Sequence, residues 1–168
     1  MEGFLRNLIT ILCLCSFLFS SNETFSKNLD LGINLVGKRN DNWFEMIRLN
    51  FQVSQFRLNN FYQSVRLDYL QKTDLCYLGG CPEPDKGLGI NIFYGKYYKS
   101  NYFLTSGSIG LGLDFIENKA VFTLPFKTEI SALIRDKYAI TVVNMIYLLP
   151  ENYTFSLGMS LKKLNKFY

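Results

Sequence analysis

Along KNLDLGINLVG, apolar and polar positions alternate one by one, with Leu29, Leu31, Ile33 and Leu35 on one side and Asp30, Gly32, Asn34 and Val36 on the other. A period of two marks a β-strand, whose successive side chains point to opposite faces. In IRLNFQVSQ, Ile47, Leu49, Phe51 and Val53 oppose Arg48, Asn50, Gln52 and Ser54; in SVRLDYLQ, Val65, Leu67 and Tyr69 oppose Ser64, Arg66 and Asp68. Leu88, Ile90, Ile92 and Tyr94 oppose Gly89, Asn91, Phe93 and Gly95, and Phe122 to Ile134 splits the same way around Lys127 and Glu129. Near the end, Tyr153, Phe155, Leu157, Met159 and Leu161 oppose Thr154, Ser156, Gly158, Ser160 and Lys162. Tyr138 to Leu148 is apolar on both sides, so its orientation stays open.

The segment SGSIGLGLDF looks at first like a glycine-rich phosphate loop. Such a loop needs a buried strand before it and an amphipathic helix after it. Here Phe103, Thr105, Gly107, Ile109, Leu111, Leu113 and Phe115 alternate with Leu104, Ser106, Ser108, Gly110, Gly112, Asp114 and Ile116, and the following ENKAVFTLPF alternates again. The glycines therefore sit in a strand, where a side chain would crowd an interior or where the strand must coil.

The pattern predicts eight strands, most of about 9–12 residues. Turn-like pieces join them at 37–42, 58–60, 72–87, 99–101, 117–119, 135–137 and 150–152. Consecutive hairpins make an antiparallel up-and-down meander, and closing it into a barrel removes both sheet edges.

Two barrels fit this alternation, and they are inside-out relatives. A soluble lipocalin-like barrel turns its apolar face inward around a small apolar ligand; a membrane barrel turns it towards lipid. The polar face favours the membrane barrel. It carries mostly Ser, Gly, Asn, Gln and Thr, with a few ions at Arg48, Arg66, Asp68, Asp114, Lys127 and Glu129. A water-facing surface holds many more Lys and Glu. A ten-residue strand rises roughly 33 Å, and a tilt of about 40° matches it to an apolar band about 25 Å tall. Aromatic residues gather near strand ends, at Trp43, Phe44, Phe61, Tyr62, Tyr97, Tyr98, Tyr102, Phe103, Tyr138, Tyr147 and Tyr153, as interfacial girdles require.

The chain of 168 residues suits one domain, preceded by a leader. Arg6, an apolar run from Leu8 to Phe19 and a Ser-rich exit form an expected Sec-type signal peptide over 1–26, cleaved between Ser20 and Ser26, with the barrel over 27–168. The run is short for a bilayer span of about 20 residues. Cys13 and Cys15 lie within it, but Leu12 and Leu14 stand where a lipobox takes a small residue. Downstream, only Cys76 and Cys81 remain, in CYLGGC. Export and the Gly79-Gly80 turn favour a disulfide; a metal pair and two free thiols are the other readings. Net charge is +4 and the basic residues are scattered, so no nucleic-acid patch is expected.

The leader, the eight amphipathic strands and the terminal Phe167-Tyr168 resemble the small eight-stranded outer-membrane barrels of Gram-negative bacteria, of the OmpX or OmpA-barrel kind. The resemblance covers the whole mature chain and rests on pattern. It implies a bacterial outer-membrane location, outer-membrane lipid as the solvent and barrel assembly machinery as the partner in biogenesis. It also implies periplasmic termini and outward loops at 37–42, 72–87, 117–119 and 150–152. Gly158 and Leu161 partly match the assembly signal of such proteins, whereas Lys163 stands where an apolar residue is usual and five residues follow it.

No histidine occurs anywhere in the chain. Barrel enzymes of the outer membrane resemble one another in relying on one, because a serine or water at neutral pH needs a base near pKa 7. Carboxylate pairs such as Asp68 with Glu129 or Asp114 remain, but an eight-stranded interior is just wide enough for side chains to fill. The expectation is therefore no enzyme, no cofactor, no metal and no wide pore. Arg48, Arg66, Asp68, Asp114, Lys127 and Glu129 are read as a paired lumen network, and the 72–87 loop as a surface-exposed segment whose ligand the sequence does not name.

Overall fold

The computed structural model describes residues 24–38, 46–57, 59–72, 86–116, 119–134, 137–148 and 153–165. They form eight strands: β1 (Thr24–Lys38), β2 (Met46–Arg57), β3 (Phe61–Lys72), β4 (Lys86–Lys99), β5 (Phe103–Ile116), β6 (Lys119–Ile134), β7 (Tyr138–Leu148) and β8 (Tyr153–Lys163). Each pairs antiparallel with its neighbours in sequence, and β1 pairs β8, from Leu29 opposite Lys163 to Lys38 opposite Thr154. The sheet is thus a closed barrel with no free edge. Asn60, at φ 62°, makes the left-handed step of the tight β2–β3 turn, a conformation Asn tolerates well.

The apolar face points out. Leu31 is 62% exposed, Leu67 44% and Ile130 59%, while their chain neighbours Asp30, Asp68 and Glu129 are almost fully enclosed. A lipocalin-like arrangement needs the reverse, and the chain does not adopt it. β7, whose direction the alternation left open, turns Ala139, Thr141, Val143, Met145 and Tyr147 inward and Ile140, Val142, Asn144 and Ile146 outward.

The strands are longer than expected, running from 11 residues in β7 and β8 to 16 in β6. Backbone pairing continues past the apolar stretch into ends such as Lys119, where the alternation no longer marks it. β1 begins at Thr24 and so overlaps the last residues of the expected 1–26 leader. The rest of that segment lies outside the described residues, as do Cys76 and Cys81 and the loop around them.

Several expected girdle aromatics turn inward instead. Tyr62, Tyr97 and Tyr147 are buried, whereas Tyr98, Tyr102, Phe103 and Tyr138 stand on the outside. The cause is the pleat: adjacent residues such as Tyr97 and Tyr98 face opposite sides and cannot both meet lipid.

Candidate functional site

The lumen holds the charge. Four cations, Arg48, Arg66, Lys127 and Lys162, and four carboxylates, Asp30, Asp68, Asp114 and Glu129, are all buried inside it. These are the only carboxylates among the described residues, so every described acid is internal.

They divide into two cells. In the upper cell, nearer the β3–β4 loop, Arg48 NH2 lies 2.8 Å from Asp114 Oδ2 and its NH1 4.0 Å from Asp68 Oδ2. Arg66 Nε donates to Asp68 Oδ1 at 2.8 Å, and Asn91 Nδ2 donates to Asp68 Oδ2 at 2.8 Å. Arg66 and Asp68 share a face because they are two residues apart on β3. Each carboxylate thus receives a charge-assisted bond, the strong kind in a low-dielectric interior.

In the lower cell, Lys127 Nζ lies 2.9 Å from Glu129 Oε1. Lys162 Nζ reaches Glu129 Oε2 at 3.2 Å and Asp30 Oδ2 at 3.6 Å. Gln52 ties the group together, accepting from Lys127 Nζ at 2.8 Å and donating to Asp30 Oδ2 at 2.9 Å. Ser106 Oγ donates to Glu129 Oε2 at 3.1 Å. Each cell balances two positive against two negative side chains, the condition for burying ions without a large penalty.

Aromatic layers lie around the cells. Phe93, Val143, Met145 and Tyr147 form a buried cluster. Arg48 stacks 4.3 Å over the Tyr147 ring and Lys127 Nζ sits 4.3 Å over Phe93, so cation–π contacts join this layer to both cells. Nearer the β2–β3 turn, Phe56, Tyr62, Tyr97 and Leu104 make a second cluster, with Phe56 stacked on Tyr62 and edge-on to Tyr97. Tyr62 donates its hydroxyl to Ser108 Oγ at 2.7 Å.

Small residues make room for these side chains. A Cβ at Gly112 would collide with Asn91 Oδ1 and Thr123 Oγ1, and one at Gly89 with the Asp114 carboxylate. Gly110 lies against the Phe93 ring in the same way. In SGSIGLGLDF, Gly110 and Gly112 therefore face a filled interior, while Gly107 points outward into open space.

All six residues expected in the network are placed in the lumen, but as two groups rather than one. Arg48, Arg66, Asp68 and Asp114 come together above; Lys127 and Glu129 pair below. The expected set lacked Asp30 and Lys162, which complete the lower cell. Their signal was present, since both fall on the polar side of their strands. As for carboxylate pairs, Asp68 and Asp114 converge on Arg48, whereas Glu129 belongs to the other cell. No group of acidic and cysteine side chains among the described residues is arranged to hold a metal ion.

No protein-family model matches the sequence, and neither does any curated protein sequence. Solved structures do match in shape. The N-terminal β-barrel domain of Pseudomonas aeruginosa OprF superposes with a TM-score of 0.60 at 6% identity, covering 84% of this chain and 98% of that one. Ail, the attachment invasion locus protein of Yersinia pestis, in a phospholipid nanodisc gives 0.59 at 9% identity, covering 83% and 99%. Neisserial surface protein A gives 0.52 at 9% identity, covering 82% and 95%. The chain therefore has the fold of the small eight-stranded outer-membrane barrels.

Proposed function

We propose that this protein resides in the bacterial outer membrane as a non-enzymatic barrel that presents its β3–β4 loop at the cell surface, in a structural or surface-interaction role. One observation carries the reading: the barrel wall is apolar outside and ionic inside. In water, that wall would expose leucine, isoleucine and phenylalanine on every strand; in lipid, it is the favoured arrangement. The shape likeness to OprF, Ail and Neisserial surface protein A supports the same location.

The filled lumen supports a non-enzymatic role. Its carboxylates are engaged by Arg and Lys, leaving no base among the described residues poised over a substrate cleft, and the chain has no histidine to act as one. What remains for interaction is the rim opposite β1's start and β8's end. There β3 stops at Lys72 and β4 resumes at Lys86, leaving the longest connection, with Cys76 and Cys81, to face outward. A disulfide between them would stiffen that loop. Barrel assembly machinery would insert the chain.

Fractionated cells test the location. Outer-membrane enrichment, detergent-dependent extraction and a mobility that changes on boiling are expected. Recovery as a monomer from soluble periplasm would overturn the reading.

A further inference from the structure

One band of the outer wall breaks the apolar rule. Lys96 of β4, Gly107 of β5, Thr128 of β6 and Asn144 of β7 are paired successively across four strands, and all four face outward. The row above it is apolar: Tyr94, Ile109, Phe126 and Ile146, paired in the same order. Because Gly107 has no side chain and nothing stands within 4 Å of where its Cβ would be, the band is a groove of about 500 Å³.

The groove is inclined. Lys96 lies three residues from the end of β4 at Lys99, whereas Thr128 and Asn144 each lie six residues from the same rim, at Ile134 and Tyr138. It therefore begins near the periplasmic interface and climbs into the hydrocarbon, as strand tilt dictates. There a hydroxyl and a carboxamide facing lipid cost free energy unless something hydrogen-bonds to them.

From this geometry, and resting on the membrane location proposed above, we infer that the groove is a binding site for an anionic phospholipid of the periplasmic leaflet. The Lys96 ammonium, 5.1 Å over the Phe61 ring, takes the phosphate. Ester carbonyls accept from the Thr128 hydroxyl and the Asn144 amide, the glycerol backbone crosses Gly107 between them and the phosphate, and an acyl chain lies against Ile109 and Phe126.

A second copy of the chain fits poorly, for two reasons. Every carboxylate among the described residues is inside the lumen, so a copy offers Lys96 no described anion. Two-fold symmetry about the membrane normal also preserves height while reversing lateral direction. Two inclined grooves would then cross at one point instead of aligning. A lipid is bound by neither constraint.

The test uses barrel isolated from membranes in mild detergent and offered equal phosphatidylglycerol and phosphatidylcholine, with retained lipid counted by native mass spectrometry. The wild type is expected to retain one phosphatidylglycerol in preference to phosphatidylcholine. Lys96→Gln and Gly107→Leu are each expected to retain at least tenfold less, and Lys86→Gln at the opposite rim as much as wild type. The leucine has open space at Gly107, so it fills the groove without disturbing the wall. Equal retention by wild type and Lys96→Gln, equal retention of the two lipids, or a lipid-free dimer would each overturn the inference. Such results in a protein that fractionates with the outer membrane remove this site alone; a protein soluble without detergent removes the membrane reading itself.

Discussion

Arg48 reaches across the lumen from β2 to β5 and sets its NH2 2.8 Å from Oδ2 of Asp114, although β3 and β4 separate the two strands around the wall. The contact joins residues 66 positions apart and braces two sides of the barrel. Removing one member leaves a buried charge poorly compensated, which costs about 3–5 kcal/mol. Asp114→Asn is therefore expected to lower the urea midpoint of the refolded barrel in vesicles. The Arg48→Met, Asp114→Leu double variant should lose clearly less than the sum of the losses of Arg48→Met alone and Asp114→Leu alone, because it removes both charges together. Strict additivity would show that the two do not interact.

The lower cell makes a ranking. Glu129 serves Lys127 at 2.9 Å and Lys162 at 3.2 Å, whereas Asp30 serves Lys162 alone, at 3.6 Å. Glu129→Gln should therefore be the most destabilising single change to a lumen carboxylate here, and Asp30→Asn should cost roughly half as much or less. Urea titrations of the two variants, followed by folded and unfolded mobility on unboiled gels, check the order. A larger loss in Asp30→Asn would contradict the division of the cell.

Much of this was legible in the sequence, because a strand one residue thick between lipid and a polar core writes its surroundings directly into its alternation. Asp30, Arg48, Asp68 and Asp114 could be assigned to the lumen from their neighbours alone. Which of them meet could not, since Arg48 and Asp114 are brought together by barrel closure and not by spacing. β7 was opaque for a different reason: its inward Val143, Met145 and Tyr147 pack against Phe93, so both of its faces are apolar. Tyr62 and Tyr97 lie close to strand ends, where girdle residues are expected, but on the inward side of the pleat, and the side decides what they meet.

Arg66 and Leu67 are adjacent on β3 and face opposite solvents, so they form an internal control. Arg66 is fully enclosed, donating to Asp68 and, through NH1, to Met145 Sδ at 3.0 Å. Leu67 is 44% exposed on the outer wall. Arg66→Ala is expected to weaken resistance to heat, read from the temperature at which folded mobility is lost, by several degrees more than Leu67→Ala. Equal effects would count against the lumen assignment.

Glycine positions divide by face. Gly112→Ala pushes a methyl group into Asn91 and Thr123, and overpacking of this kind costs about 1–3 kcal/mol. Gly107→Ala adds the same methyl group to open space outside. Refolding yield and urea midpoint should fall for Gly112→Ala and stay near wild type for Gly107→Ala. Matching losses would mean that backbone freedom, not interior space, selects glycine at both sites.

The layers inside the barrel also bear on conduction. An ion entering from the rim of the β3–β4 connection meets the upper cell, where it must displace an Arg or an Asp from a partner it already neutralises. Beyond that stand Phe93, Met145 and Tyr147, then the lower cell, and finally Phe56, Tyr62, Tyr97 and Leu104. These barriers lie in series, and burying an ion without a partner at any of them costs several kcal/mol. Wild-type barrel in a planar bilayer is therefore expected to carry no steady current. Phe56→Ala should also remain silent, because it thins only the last layer and leaves both ionic cells intact. A steady ohmic conductance in the wild type would mean that the lumen side chains part to leave a water path, against the packing described above.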